Sequence, residues 1–178
     1  ASDVYKRQQL GLTTSMVGLA IGQLIFGPLS DKYGRRSPLL IAMALFLIST
    51  VGCIFSQNIS QFVALRFVQG IAGAGGVVIS RSIAADKYSA HELAGMLATI
   101  GAINGIATVV APIGGGVLAD FGGWHGIFWF LFIVGVLLII GSMRFRESLP
   151  GGQRQNIRWG DMYRRFGIVL HNRQYVRY

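Results

Sequence analysis

Cysteine occurs once in the 178 residues, as Cys53. A single thiol excludes an internal disulfide and a cysteine-based metal cluster. Charge is nearly as scarce: 13% of residues are Asp, Glu, Lys or Arg, against about 25% in soluble globular domains. Acidic residues number seven, and none lies in the middle of an apolar run. No nucleophile–base pair or metal-ligand cluster is visible, and His91, His125 and His171 fall in or near the breaks between apolar runs. The sequence therefore does not read as an enzyme, and no metal or cofactor is expected.

What is present is apolar. Hydrophobic residues make up 52% of the chain and glycine occurs 25 times. The apolar residues gather in five blocks, at 10–30, 38–56, 60–80, 93–118 and 124–143. Each is close to the roughly 20 residues that a helix needs to cross a bilayer. Among open-ended structures only the helix satisfies its own backbone in lipid. The expected fold is an all-α membrane protein with five transmembrane helices.

The formal charge of +9 would suit a nucleic-acid partner, but its distribution points to a membrane surface instead. The connection near 31–36 carries Lys32, Arg35 and Arg36, and the one from Arg81 to Glu92 carries Arg81 and Lys87. Eight arginines follow the fifth block, from Arg144 to Arg177. The intervening connections, "SQNISQ" (56–61) and "ADFGGWHG" (119–126), have no Lys or Arg. Thirteen basic residues thus collect on one side and none on the other, which marks the basic side as cytoplasmic. Five crossings then put the start of the chain outside the cytoplasm and its end inside.

Lys6 and Arg7 break this pattern. Residues 1–8, "ASDVYKRQ", back-translate into a sequence resembling a transposon adapter end, so they are expected to be a non-native leader. Residues 9–143 hold the spans. Residues 144–178 form a basic cytoplasmic segment in which Trp159, Met162, Tyr163, Phe166, Val169 and Leu170 recur at helical spacing. That stripe suits an amphipathic helix on the membrane surface, and a disordered basic loop is the other reading.

Three short motifs carry more than topology. The first lies in "FGPLSDKYGRRSPLL" (26–40), where Gly27, Leu29, Asp31, Gly34, Arg35 and Arg36 match G-x-L-[SA]-D-[KR]-x-G-R-[RK]. It resembles the loop between helices two and three of the major facilitator superfamily of transporters. The resemblance implies that the five blocks are helices two to six of a twelve-helix protein. It also implies a conformational latch between the two halves, made by Gly27, Asp31, Gly34, Arg35 and Arg36, with Asp86 as a partner for one arginine. Physically, Gly27 would admit a close helix, and Asp31 would accept hydrogen bonds from a helix N-terminus. The plainer reading is that the basic residues hold the loop inside.

The second motif is "RFVQGIAGAGG" (66–76). An arginine within a span costs about 2.5–3.5 kcal/mol on insertion scales, so it normally faces a partner or a wet cavity. Arg66, Gln69 and Gly70 resemble the R-x-x-Q-G motif on helix four of proton-coupled members. The implied role for Arg66 is to favour the charged form of a carboxylate on helix one; an arginine snorkelling to the outer surface is the alternative. "GAGG" is not a dinucleotide loop, since a membrane helix rather than a strand precedes it and Val78 stands at the third glycine position. Gly70, Gly73 and Ala74 suit helix packing instead.

The third motif, "TVVAPIGGG" (108–116), resembles the antiporter motif G-P-x-x-G-G on helix five, with Ala111 at the first glycine position. Pro112 should kink its helix and Gly115 and Gly116 should let it pack closely; a simple packing kink is the alternative. Gly18 with Gly22, and Gly101 with Gly105, form further small-residue faces. "RESLP" (146–150) resembles an element that follows helix six.

Together the motifs are most similar to the bicyclomycin/chloramphenicol-resistance branch of drug:proton antiporters. That branch implies efflux of a small, amphipathic, drug-like molecule across the bacterial inner membrane, driven by protons, in a protein that is a monomer when full length. Gln23 and Asn104 are candidate cavity residues, because mid-span polar groups usually face a bundle interior. The proton-carrying acid would lie on helix one or in the second half, and the fragment alone would transport nothing. An uptake symporter of the same superfamily, and a non-transporting membrane scaffold or sensor, are the competing readings.

Overall fold

A computed structural model describes residues 2–144. The regular structure of these residues is α-helical: α1 (Ser2–Tyr33), α2 (Arg36–Ile54), α3 (Ile59–Lys87) and α4 (Ala90–Met143). Five segments have the length and apolarity to cross a bilayer: Leu10–Tyr33, Arg36–Ile54, Ile59–Lys87, His91–Asp120 and His125–Met143. They fall on the five apolar blocks, so the all-α membrane architecture expected from the sequence is the one found. The basic segment after Arg144, with its candidate surface helix and "RESLP", lies outside the described residues.

The breaks between spans are narrower than the sequence suggests. Only Gly34 and Arg35 separate α1 from α2, and Gly34 turns the chain at φ 91°, a conformation that glycine adopts without penalty. The expected connection at 119–126 is helical on both sides of Gly123, which alone departs from helical angles, at φ 61°, ψ −164°. A Cβ on Gly126 would come within 3.0 Å of the Leu118 carbonyl oxygen, so bare backbone is needed where the chain folds back. α3 runs to Lys87, past the end of its apolar block, and carries Asp86 on the helix rather than in a loop. Leaving the bilayer does not end a helix; a stop signal does. Here the Ser89 N–H and hydroxyl both donate to the Glu92 carboxylate, at 3.2 and 2.8 Å, capping α4 and fixing where it begins.

α1 and α3 make the closest pair. A Cβ on Gly18 would lie 2.3 Å from the Phe67 carbonyl oxygen, one on Gly22 2.5 Å from that of Ile71, and one on Gly70 2.2 Å from that of Ser15. The two backbones touch because three side chains are missing, the device expected where lipid supplies no hydrophobic drive. Phe26, Ala42 and Ile79 form a buried cluster near the Gly34 turn, and Cys53, Ile54 and Phe128 form a second at the opposite end. Phe62 meets Phe128 edge to face there, with centroids 5.8 Å apart. α2 also packs on His125–Met143, where Gly135 receives Leu47.

The span His91–Asp120 stands apart, with none of its apolar core buried against the other described helices. Cβ atoms added at Gly101, Gly105, Gly114, Gly115 or Gly116 would meet nothing within 4 Å. The close packing expected of these glycines is therefore absent among the described residues. Pro112 lies inside this span, and the non-helical angles of α4 are at Gly123, within the connection expected at 119–126. Proline removes one backbone hydrogen bond but its φ is already helical, whereas the reversal at Gly123 needs angles that other residues avoid.

Candidate functional site

Two polar groups stand out in this apolar frame, and the turn at Gly34 positions the first. It drives Arg35 inward, so that its side chain is only 8% exposed. The guanidinium grips Asp86 of α3 with two bonds, Nε to Oδ2 at 2.8 Å and Nη2 to Oδ1 at 3.3 Å. Nη1 donates to the Ser30 hydroxyl oxygen at 2.7 Å and to the Asp31 carboxylate. The Ser30 hydroxyl in turn donates to the Gly27 carbonyl at 2.8 Å. Burial disfavours the charge of Arg35, but the bonds to Asp86 and Asp31 outweigh it and raise its pKa above the ordinary arginine value.

Arg35 joins α1, α2 and α3 of one unit, and Asp31, 43% exposed, is the member left open to anything outside it. Arg36 bonds elsewhere. Its Nη2 donates to the Met143 carbonyl at 3.1 Å, satisfying one of the free carbonyls at the C-terminus of α4. Among the described residues a Cβ built on Gly27 would meet Val78 Cγ1 at 3.9 Å, an ordinary contact.

The second group lies within the spans. Arg66 of α3 is half-buried, and its Nη1 donates to Gln69 Oε1 at 3.1 Å. Gln69 is buried and its Nε2 donates to the Thr50 hydroxyl of α2 at 2.8 Å. The guanidinium carbon sits 4.8 Å from the centre of the Phe128 ring and 5.5 Å from that of Phe62, within cation–π range. Its Nε is buried without a hydrogen-bond partner among the described residues. Arg66 borders two cavities, one of about 590 Å³ edged by Gly11, Gln57, Asn58 and Phe128, the other of about 330 Å³ edged by Ser15, Gln69 and Gly73. An arginine desolvated this way can hold an anionic group in place, or bias the protonation of a nearby carboxylate. Gly70, the third residue of the motif, serves the α1–α3 contact instead.

The remaining candidates lie elsewhere. Gln23 is exposed on α1. Asn104 is also exposed on its span but edges a separate cavity of about 500 Å³ between α2, α3 and α4. Ala111, Pro112, Gly115 and Gly116 touch neither polar group. Sequence reading missed Ser30, Thr50, Phe62 and Phe128. Ser30 and Thr50 carry no motif, and their partners lie across a turn or a helix pair. The two rings read as ordinary apolar residues until α3 and α4 meet.

Comparison with known proteins agrees with this frame. Residues 5–174 match the model of the Major Facilitator Superfamily. The chain is 42% identical over 173 residues to the MFS-type transporter YdgK of Bacillus subtilis (strain 168), covering 96% of this chain and 43% of YdgK. It is 36% identical over 126 residues to a bicyclomycin resistance protein homolog of Haemophilus influenzae, covering 71% of this chain and 32% of that protein. In structure it is similar to the inward-open xylose transporter XylE from E. coli, at 21% identity and a TM-score of 0.67, over 94% of this chain and 42% of XylE. The chain thus spans less than half the length of these relatives. A helical membrane fold and a family match over nearly its whole length place this chain in the Major Facilitator Superfamily of multi-pass membrane transporters.

Proposed function

We propose that this chain supplies helices two to six of a bacterial inner-membrane antiporter that exports small, amphipathic, drug-like molecules in exchange for protons by alternating access. Arg66 carries the reading. Its guanidinium lies inside a span, bonded to Gln69 and beside two aromatic rings, with its Nε unpaired among the described residues. Such a group is suited to stabilising the ionised form of a proton-carrying acid. No Asp or Glu occupies the middle of any of the five apolar blocks, so that acid belongs to helix one or the second half. Similarity to a bicyclomycin resistance protein homolog supports a drug as the cargo. The basic cluster around Arg35 supports placing the Gly34 turn in the cytoplasm. Within the transport cycle, Asp31 is the group that would reach the second half, with Arg35 holding it in position.

The full-length protein in a pump-deficient bacterium tests the direction of transport. Cells expressing it should accumulate less of at least one amphipathic drug, and a protonophore should restore accumulation to the control level. Increased, proton-dependent accumulation of a sugar or metabolite, with no effect on any drug, would instead identify an uptake symporter.

A further inference from the structure

We infer that Thr50 is a positioning residue for Arg66, acting through Gln69, an inference that rests on the transport reading of Arg66 for its functional consequence. The direction of three hydrogen bonds carries it. Thr50 Oγ1 lies 2.7 Å from the Phe46 carbonyl oxygen and 2.8 Å from Gln69 Nε2. A carbonyl cannot donate, so the hydroxyl gives its one proton to Phe46 and can only accept from Gln69. That fixes which end of the Gln69 amide is NH2. The opposite end, Oε1, must then face Arg66, whose Nη1 lies 3.1 Å away. Were the amide reversed, two sets of donors would meet at Arg66.

Thr50 and Gln69 are both buried, at 0% and 5% exposure, so water cannot take the place of the hydroxyl. Gln69 thus holds one edge of the guanidinium while the Phe128 and Phe62 rings lie together on one side of it. The Nε edge has no hydrogen-bond partner among the described residues, and one rotamer of Arg66 is selected. Among the described residues the titratable group facing Arg66 is the Cys53 thiol on α2. α1 faces it with Gly11 and Leu12, and α4 with Phe128 and Leu131. No acid among the described side chains competes for the guanidinium, so the chain from Phe46 through Thr50 and Gln69 sets its orientation. It also ties the arginine on α3 to the backbone of α2.

The test compares Thr50→Val, which keeps shape and loses the hydroxyl, with Thr50→Ser, which keeps the hydroxyl, in the full-length transporter. The first readout is the rate at which phenylglyoxal modifies Arg66 in membranes, followed by mass spectrometry. T50V should raise that rate several-fold and T50S should leave it near wild type. Q69L should act as T50V does, and T50V/Q69L should add nothing further. The second readout is the pH profile of transport, whose acidic limb should move to higher pH in T50V by a fraction of the roughly one to three units that a neighbouring arginine confers on a carboxylate. T50S should restore it. A wild-type modification rate in both T50V and Q69L would overturn the assignment. A raised rate in a protein whose transport shows no proton dependence would uphold the positioning role and remove the antiport reading instead.

Discussion

Arg35 shows how much one side chain is asked to do at the turn. Its guanidinium is buried and bonded to Asp86, Asp31 and Ser30, so removing Asp86 leaves the buried charge with the half-exposed Asp31 as its remaining counter-charge. Breaking such a pair costs about 3–5 kcal/mol. Asp86→Ala should therefore lower the thermal stability of the detergent-solubilised transporter markedly, and Asp31→Asn, at a half-exposed position, should do so only slightly. Asp31→Asn should instead cut transport while leaving membrane insertion intact; unchanged transport would contradict a role for Asp31 in reaching the second half. The raised pKa of Arg35 carries its own expectation. A cation whose folded pKa exceeds its unfolded value contributes stability fully below the unfolded value and loses it only as pH rises through the folded one. For arginine that loss begins only in strongly alkaline solution. The stability difference between wild type and Arg35→Gln should thus stay constant from about pH 7 to about pH 10, far below that window, as thermal melts would show. At this scale the sequence was legible only where residues form a short motif. Arg35, Asp31, Arg66 and Gln69 were readable within single stretches, and a pairing of Arg35 or Arg36 with Asp86 could be anticipated. Ser30 and Thr50 were not, because their significance arises from contacts made after folding.

Among the elements, α1 and α3 owe their contact to glycine, and the span His91–Asp120 owes nothing to it within the described residues. Gly18→Val or Gly70→Val should force the α1 and α3 backbones apart and abolish stable assembly, since the added atoms would meet carbonyl oxygens rather than yielding side chains. Gly101→Ala should be tolerated, because its added methyl would meet no other described residue. Limited proteolysis of membrane-inserted protein distinguishes the two outcomes. Gly123→Ala should cost about 1–3 kcal/mol, because its φ and ψ lie in a region that essentially only glycine enters, while Gly122→Ala serves as the control. The five spans could be read from apolar runs, since lipid demands continuous helices of fixed length. Their ends could not. α3 outlasts its apolar block because its backbone continues to satisfy itself in water until the Ser89 cap, and the glycine-rich stretch at 119–126 needs only one non-helical residue to reverse. The glycines themselves looked alike in sequence; only the packing separates those that touch a neighbour from those that do not.

For the molecule as a whole, two polar groups at different depths are linked by the same three helices. The Arg35 cluster ties α1, α2 and α3 together at the Gly34 turn, and Arg66 with Gln69 and Thr50 bridges α2 and α3 within the apolar layer. The closely packed α1–α3 pair connects the two levels, so a tilt of this unit would carry both groups with it. That arrangement suits alternating access, in which one bundle rocks against another around a central site. The chain spans less than half the length of its relatives, so the decisive measurement needs the full-length protein. Everted membrane vesicles carrying it, energised to build an inward-acid pH gradient, should lose part of that gradient when an exported drug is added, and Arg66→Ala should abolish the response. A gradient that stays intact across a broad panel of amphipathic drugs would contradict proton-coupled export.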